Sequence, residues 1–454
     1  MTSIRPDMPK KILIVSAMFP PVASSGIHRV VRLVRYLTEL GAEVSVLTID
    51  EKTLPRTFSY DHAVMDKIPD TVKILRVPAS QALKRLIELK NGRDNKPQPK
   101  SARPVSEPAK SVSGKKRKSM VQSLKDAITL NLHSPDNYAF WIKPAIKAGV
   151  DFIRENGIET ILSSSPPGST HVIAHRLKAK TGVKWLADFR DPWSQKRWHN
   201  PEMTAFKKRA IRRYEKQTIA SADKLIMNTP ELLEDFRQRY GEIVKQKGEV
   251  ITNGFDPADF LDLPGASKPQ SQISICHAGT FYRNRSPMSF LNGFARALKT
   301  GAISAGRFKI KFIGSVGAFK NEMSAFLDEN DLHEAIEVIP PIQHHDCLIE
   351  MMKSDVLLII QPVTTIQIPG KIFEYMATGK PILAISAEGA TSNVVINNNL
   401  GWWADFDNEQ HISEAFEHIN KFFNEAGIDG WQVEPAILDK FNGKKLVEKI
   451  YELI

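Results

Sequence analysis

"IPGKIFEYMATGKPILAIS", residues 368–386, holds a helix and the strand that follows it. Pro369 stands at the first helical position, Gly379 just past the end and Pro381 soon after, which are ordinary boundary signals. "PILAIS" (381–386) is a short apolar run that suits a buried strand. Lys371 does not fit so easily. It lies in the first turn, where the helix dipole disfavours a cation. Lys371 and Glu374 are three residues apart and so share a helix face. They are either a surface pair, with Glu374 complementing the dipole, or a site in which Lys371 awaits an anion that also caps the helix.

The same strand–helix rhythm runs outward in both directions. "KILIV" (11–15) is followed by apolar residues at helical spacing (Val30, Val31, Leu33, Val34, Leu37, Leu40), with Gly41 as the stop. "EVSVLTI" (43–49) is the next strand. Further strands are expected at 159–165, 184–189, 224–228 and 249–255, with helices around 139–155, 169–181 and 201–220. "DPADFLDLPGASKPQSQ" then reads as a linker. Beyond it, strands are expected at 273–279, 308–314, 336–340, 356–362 and 381–386. Strands alternating with helices imply βαβ units and parallel sheets covered on both faces. The restart after a linker implies two such α/β domains, as does a length of 454 residues. The expected division is 1–255, a linker at 256–271, a second domain at 272–430, and a C-terminal helix at 431–454 that packs back on the first domain.

Composition is that of a globular protein, with 42% apolar and 25% charged residues. Cys276 and Cys347 are too few for a disulfide framework and read as buried thiols of a reducing compartment. No apolar run reaches the ~18 residues that span a bilayer. The expectation is a cytoplasmic protein, peripheral at the inner membrane face. The net charge of +11 is concentrated: residues 84–125 carry thirteen Lys/Arg against three acids. The remainder is near neutral, which argues against nucleic acid as a partner. Within that stretch, 91–119 is rich in Pro, Ser and Lys and too poor in apolar residues to fold. It reads as a disordered basic insertion, and 84–125 as a segment drawn to an anionic membrane surface.

In open parallel sheets ligands bind at the carboxyl ends of strands. Five loops lie there. "FPPVASSGIHR" (19–29) has Gly26 ahead of a helix, where backbone N–H groups can approach a phosphate or sugar, or where a glycine merely turns the chain. It lacks the three-glycine dinucleotide fingerprint. "SSSPPGSTH" (163–171) and "ADFRDPW" (187–193) bring His171, Asp188, Arg190 and Asp191 to strand ends. "HAGTFYRNRSP" (277–287) combines Gly279, Thr280, Arg283 and Arg285 before a helix, a good anion site unless the arginines are simply solvated. The fifth is the stretch around Lys371 and Glu374.

"HAGTFYRNRSP", "IPGKIFEYMATGKPIL", "ITNGFD" and "DFRDPW", in that arrangement, resemble the family-four-like glycosyltransferases of the GT-B fold, the bacterial cell-surface polysaccharide type being nearest. The resemblance covers nearly the whole chain except the basic insertion. It implies two Rossmann-like domains facing a central cleft and a nucleotide-diphosphate-sugar donor held by the second domain. The position matching Glu374 would bind the ribose. Lys371 and the loop of Gly279, Thr280, Arg283 and Arg285 would bind the diphosphate. A glycan or lipid-linked acceptor would meet Gly26, His171 and Asp191, with Asp188, Arg190 and Lys371 as the catalytic set.

The resemblance also implies retention of anomeric configuration and no metal or other cofactor. Asp405-Phe406-Asp407 looks like a metal-binding pair, but it sits near the chain end. His344-His345-Asp346 opens an amphipathic helix and is expected to cap it. Three positions depart from the family pattern. Ile366 stands where many relatives have a second glutamate, Thr280 where many have arginine after the loop glycine, and Arg190 where a histidine is common. A sugar-nucleotide epimerase of the same fold and a non-catalytic GT-B partner subunit are the alternatives.

Overall fold

The computed structural model describes residues 9–23, 26–54, 60–79, 135–195, 203–261, 263, 272–281, 285–304, 306–362 and 364–454. The basic stretch 84–125, its insertion 91–119, and Arg283 lie outside the described residues. In chain order the first elements are β1 (Lys11–Val15), α1 (Ile27–Glu39), β2 (Glu43–Ile49), β3 (Lys73–Val77), α2 (Ala139–Asn156), β4 (Thr160–Ser165), α3 (Ser169–Thr181), β5 (Lys184–Phe189), α4 (Ala205–Ser221), β6 (Lys224–Met227), α5 (Pro230–Tyr240), α6 (Glu242–Lys247) and β7 (Gly248–Val250). They are followed by β8 (Ile273–Ala278), α7 (Met288–Lys299), β9 (Phe308–Ile313), α8 (Lys320–Asn330), β10 (Ile336–Ile339), α9 (His344–Met352), β11 (Val356–Gln361), α10 (Lys371–Ala377), β12 (Ile382–Ser386), α11 (Ala390–Ile396), β13 (Gly401–Asp405), α12 (Glu409–Glu425), α13 (Pro435–Lys440) and α14 (Gly443–Leu453).

The strands form two sheets, ordered β3-β2-β1-β4-β5-β6-β7 and β10-β9-β8-β11-β12-β13. The registered pairs in both are parallel. Central strands are buried on both faces, so they read as continuous apolar runs: Ile12 to Val15 and Val356 to Gln361 are buried throughout. α1 turns Ile27, Val30, Val31, Val34 and Leu37 inward at helical spacing. Thr204 and Thr229 cap α4 and α5 through their hydroxyls.

Compactness divides the chain into two units. One comprises Met1–Asp188, Trp193–Asp223 and Ile454, and the other Phe189–Pro192 and Lys224–Leu453. The C-terminal residues 431–453 thus group with the second unit, where the Phe441 ring lies 5.6 Å from that of Phe373.

Two edge strands escaped the sequence reading. β3 and β13 are mostly half-exposed and lack an apolar run. The strand expected at 249–255 stops at Val250, and Gly254 turns the chain in the left-handed region (φ +64). The helix expected from Pro369 begins at Lys371, because Pro369 O accepts from Ile372 N and makes a lead-in turn. Cys276 is buried as expected. Cys347 is only half-buried, and both are free thiols.

Candidate active site

In the second sheet the strand order reverses between β8 and β11, the position where open parallel sheets bind ligands. These two strands pair at Val356↔Ile275 and Leu357↔Cys276 and, among the described residues, go no further. β8 stays registered with β9 to Ala278↔Ile313, and β11 with β12 to Gln361↔Ser386. The carboxyl ends of β8 and β11 therefore part, and side chains take over the backbone groups left behind. The Tyr375 hydroxyl accepts from Ala278 N (3.0 Å) and donates to Leu358 O (3.4 Å). The same carbonyl accepts from His277 Nδ1 (2.9 Å).

Tyr375 belongs to α10, so its hydroxyl ties that helix to the end of β8. Ile372, Phe373, Tyr375 and Met376 bury the rest of the inner face against Cys276 and Ala278. Glu374 and Lys371 are left on the outer side, half-buried and exposed respectively.

The tie brings two predicted loops together. A Cβ on Gly279 would sit 3.6 Å from Lys371 Cε and 3.2 Å from His277 Nε2. A Cβ on Gly314, held at φ +131, would strike the Gly279 carbonyl at 2.4 Å, so the turn packs directly on the end of β9. Thr280 is exposed. Arg285 lies close enough to act electrostatically on both His277 and Asp191. His344 Nε2 meets Glu374 Oε1 at 3.3 Å. His344 was expected to cap α9, yet no side chain caps that helix, and the imidazole turns instead to the carboxylate.

Burial, and secondarily the Lys371 and Arg285 cations, push the His277 imidazole down to about 4 from its ordinary 6.5, although its bond to Leu358 opposes the shift. Between those values the unfolded chain binds a proton that the folded one does not, so His277 removes stability as pH falls from about 6.5 to about 4. We expect the stability of the protein relative to His277→Gln to be constant above pH 7. It should drop by on the order of 3 kcal/mol by pH 4, as read from urea unfolding across that range.

Asp191 clusters with these groups in the second unit. Its carboxyl accepts a hydrogen bond from the Gln367 amide. Burial raises its pKa, while Arg190, Gln367 and Arg285 pull the other way. Gln367 stands next to Ile366, the position where the family resemblance leads one to expect a second glutamate. Its amide is engaged by Asp191, and the Ile366 carbonyl accepts from Thr229 Oγ1 (2.8 Å).

In the first sheet the order reverses between β1 and β4. Gly26 is the N-cap of α1 there. Asp188, at the end of β5, is fully buried. Arg29 reaches it from α1 with two bonds, Nε to Oδ2 at 2.9 Å and Nη2 to Oδ1 at 2.8 Å, and Ser164 Oγ donates to Oδ2 at 2.7 Å. His171 is fully buried too. Its Nδ1 lies 2.8 Å from Ser163 Oγ, and its ring lies against Trp185 and Trp193. The carbonyl of Arg190 accepts from Asn228 Nδ2 (3.2 Å), and the residue is half-buried. Arg29, His277 and Tyr375 were not singled out from sequence, and His344 was read only as a helix cap. The one signal for Arg29 was its position on the apolar side of α1.

The fold has known counterparts. A sucrose-phosphate synthase from Thermosynechococcus elongatus matches with a TM-score of 0.62 at 15% identity, over 98% of each chain. The Anabaena protein HepE, solved in complex with UDP and glucose, matches with a TM-score of 0.60 at 12% identity, over 98% of this chain and 99% of that one. Residues 124–259 match the sequence model of Glycosyltransferase Family 4. The chain has the GT-B fold, and its residues 124–259 are similar to Glycosyltransferase Family 4. A putative UDP-N-acetylglucosamine 2-epimerase from Listeria monocytogenes is also similar to this chain, with a TM-score of 0.53 at 11% identity over 98% of this chain and 95% of that one. No curated protein matches it in sequence.

Proposed function

We propose that the protein is a glycosyltransferase that moves a sugar from a nucleotide-diphosphate donor to a hydroxyl of a glycan or lipid-linked acceptor, with retention, without a metal, and in the building of cell-surface polysaccharide or glycolipid. The observation that supports this most is the meeting of Gly279 and Lys371 where β8 and β11 part, with Glu374 one turn further along α10. Donor binding is assigned to 272–430, with Lys371, Arg285, Arg283 and the Gly279-Thr280 turn on the diphosphate and Glu374 on the ribose. Acceptor binding is assigned to 1–255, joined by 256–271, with Gly26, Arg190 and Asp191 as contacts. Asp188 and His171 act from beneath, since both are fully buried.

As the sugar–oxygen bond breaks, negative charge grows on the diphosphate. Fixed cations aimed at that oxygen stabilise it. The acceptor's proton passes to the departing phosphate, so no strong base is needed. HepE holds UDP and glucose, which makes UDP-sugars the first donors to test. The test is incubation with UDP-, GDP- and ADP-sugars and an acceptor lipid extract, with and without chelator. Transfer to a glycan or lipid that persists with chelator supports the proposal. Release of an epimerised free sugar alone would favour the epimerase reading.

The membrane expectation rested on 84–125, which lie outside the described residues. A second basic surface supports it. α4 carries Lys207, Lys208, Arg209, Arg212, Arg213 and Lys216, and its single acid, Glu215, is buried on Ser194. Arg209, Arg212, Arg213 and Lys216 share the exposed face with Phe206, which is 61% exposed. Among the described residues no helix is long and apolar enough to cross a membrane. Each cation near an anionic leaflet contributes ~1 kcal/mol, so replacing Arg209, Arg212 and Arg213 by alanine should lower sedimentation with phosphatidylglycerol vesicles about 10- to 100-fold. Unchanged sedimentation would remove α4 from the membrane reading.

A further inference from the structure

We propose that His277 Nε2 is a hydrogen-bond acceptor for a hydroxyl of the donor's sugar, and so a specificity-determining contact of the donor site. The inference rests on the donor-site reading given above.

The geometry fixes the tautomer. Leu358 O can only accept, so Nδ1 must carry the proton. The neutral ring then leaves Nε2 with a lone pair. The ring cannot swing away. It stacks on Phe281 (4.6 Å, 15°) and meets Phe312 edge-on, and the residue is only 8% exposed. Among the described residues Nε2 has no hydrogen-bond partner, while the space a Gly279 side chain would fill lies between it and the Lys371 stem. Burial and the neighbouring cations keep the imidazole neutral at physiological pH, with its value near 4.

Nε2 is not among the fully buried unpartnered atoms, so this edge of an otherwise buried ring opens beside Gly279 and offers a fixed lone pair to a ligand. The partner must itself donate. A fully ionised diphosphate offers no donor, whereas a sugar hydroxyl does. A neutral acceptor among cations also does not repel the diphosphate, as a carboxylate at this position would by pairing with Lys371 and Arg285. Lys371 itself does not hydrogen-bond the ring.

The test compares UDP-glucose with UDP, with GDP and ADP pairs in parallel, by calorimetric titration of the full chain. His277→Phe keeps the stacking face and removes the acceptor. Loss of one such bond should weaken UDP-glucose about 5- to 30-fold and leave UDP within about twofold. His277→Gln, which restores an acceptor, should recover part of the loss.

Equal loss for both ligands, or for neither, would overturn the proposal. Failure of the unaltered protein to bind any nucleoside diphosphate would remove the donor site, and this contact with it. Where a variant does not fold, the unaltered protein provides the reading. With imidazole 15N labelling, the His277 Nε2 signal should shift towards the hydrogen-bonded range on adding UDP-glucose and stay in place with UDP. A signal that does not move with UDP-glucose would equally overturn the proposal.

Discussion

Lys371→Ala should lower turnover by roughly 30- to 3000-fold while the melting temperature of the unliganded protein holds or rises slightly. The lysine opens α10, where the helix dipole makes a cation unfavourable by ~0.3–1 kcal/mol. It is exposed, and among the described residues no hydrogen bond or ion pair engages its ammonium. Its removal therefore costs the empty protein nothing that packing supplies. In the donor site proposed above, the ammonium faces the donor's diphosphate. Truncating one member of such a pair costs ~2–5 kcal/mol, at ~1.4 kcal/mol per decade of rate. Charge on the diphosphate grows towards the transition state, so part of the loss falls on turnover rather than on affinity. Steady-state kinetics and a melting curve on one preparation check both halves. Unfolding of the unliganded variant, or unchanged turnover, would make the lysine structural.

Arg29→Ala should be the most damaging single change in the first unit. Asp188 is fully buried and its carboxylate is covered by two arginine bonds and one serine bond. Removing the arginine leaves a carboxylate that cannot reach water, at a cost of ~3–5 kcal/mol. Hydrogen exchange of the β1, β4 and β5 amides should report that loss in the unit itself. Removing both charges, as Arg29→Met with Asp188→Leu, should restore most of the protection, because the pair is then replaced by packing. A loss below ~1 kcal/mol for Arg29→Ala would show that water reaches Asp188 after all.

The same pair shows where sequence reading ends. Strands such as "KILIV" and "VLLIIQ" announce themselves because parallel strands buried on both faces must be apolar throughout. β3, "KILRV", does not, because its surroundings leave it half-exposed. Asp188 was legible as a polar group at a strand end, but its partner lies 159 residues earlier, and a sequence without contacts cannot join them. The loops of Gly279 and Lys371 were legible for a different reason. Each breaks a local rule, one by a glycine turn among arginines and the other by a cation at a helix start. His277 broke none. Within "ISICHAG" it passed for one more strand residue, and only the parting of β8 from β11 gave its ring a use.

That parting has a consequence for how the protein can vary. One phenol spans from α10 to the last residue of β8, so the separation of Lys371 from the Gly279 turn is set by the fixed length of a tyrosine. The loop leading into α10 is relieved of that duty. Its sequence can vary without displacing the helix that follows. Loops grafted from relatives between Pro362 and Pro369 should therefore be tolerated in a chain that keeps Tyr375 and lost from one carrying phenylalanine in its place.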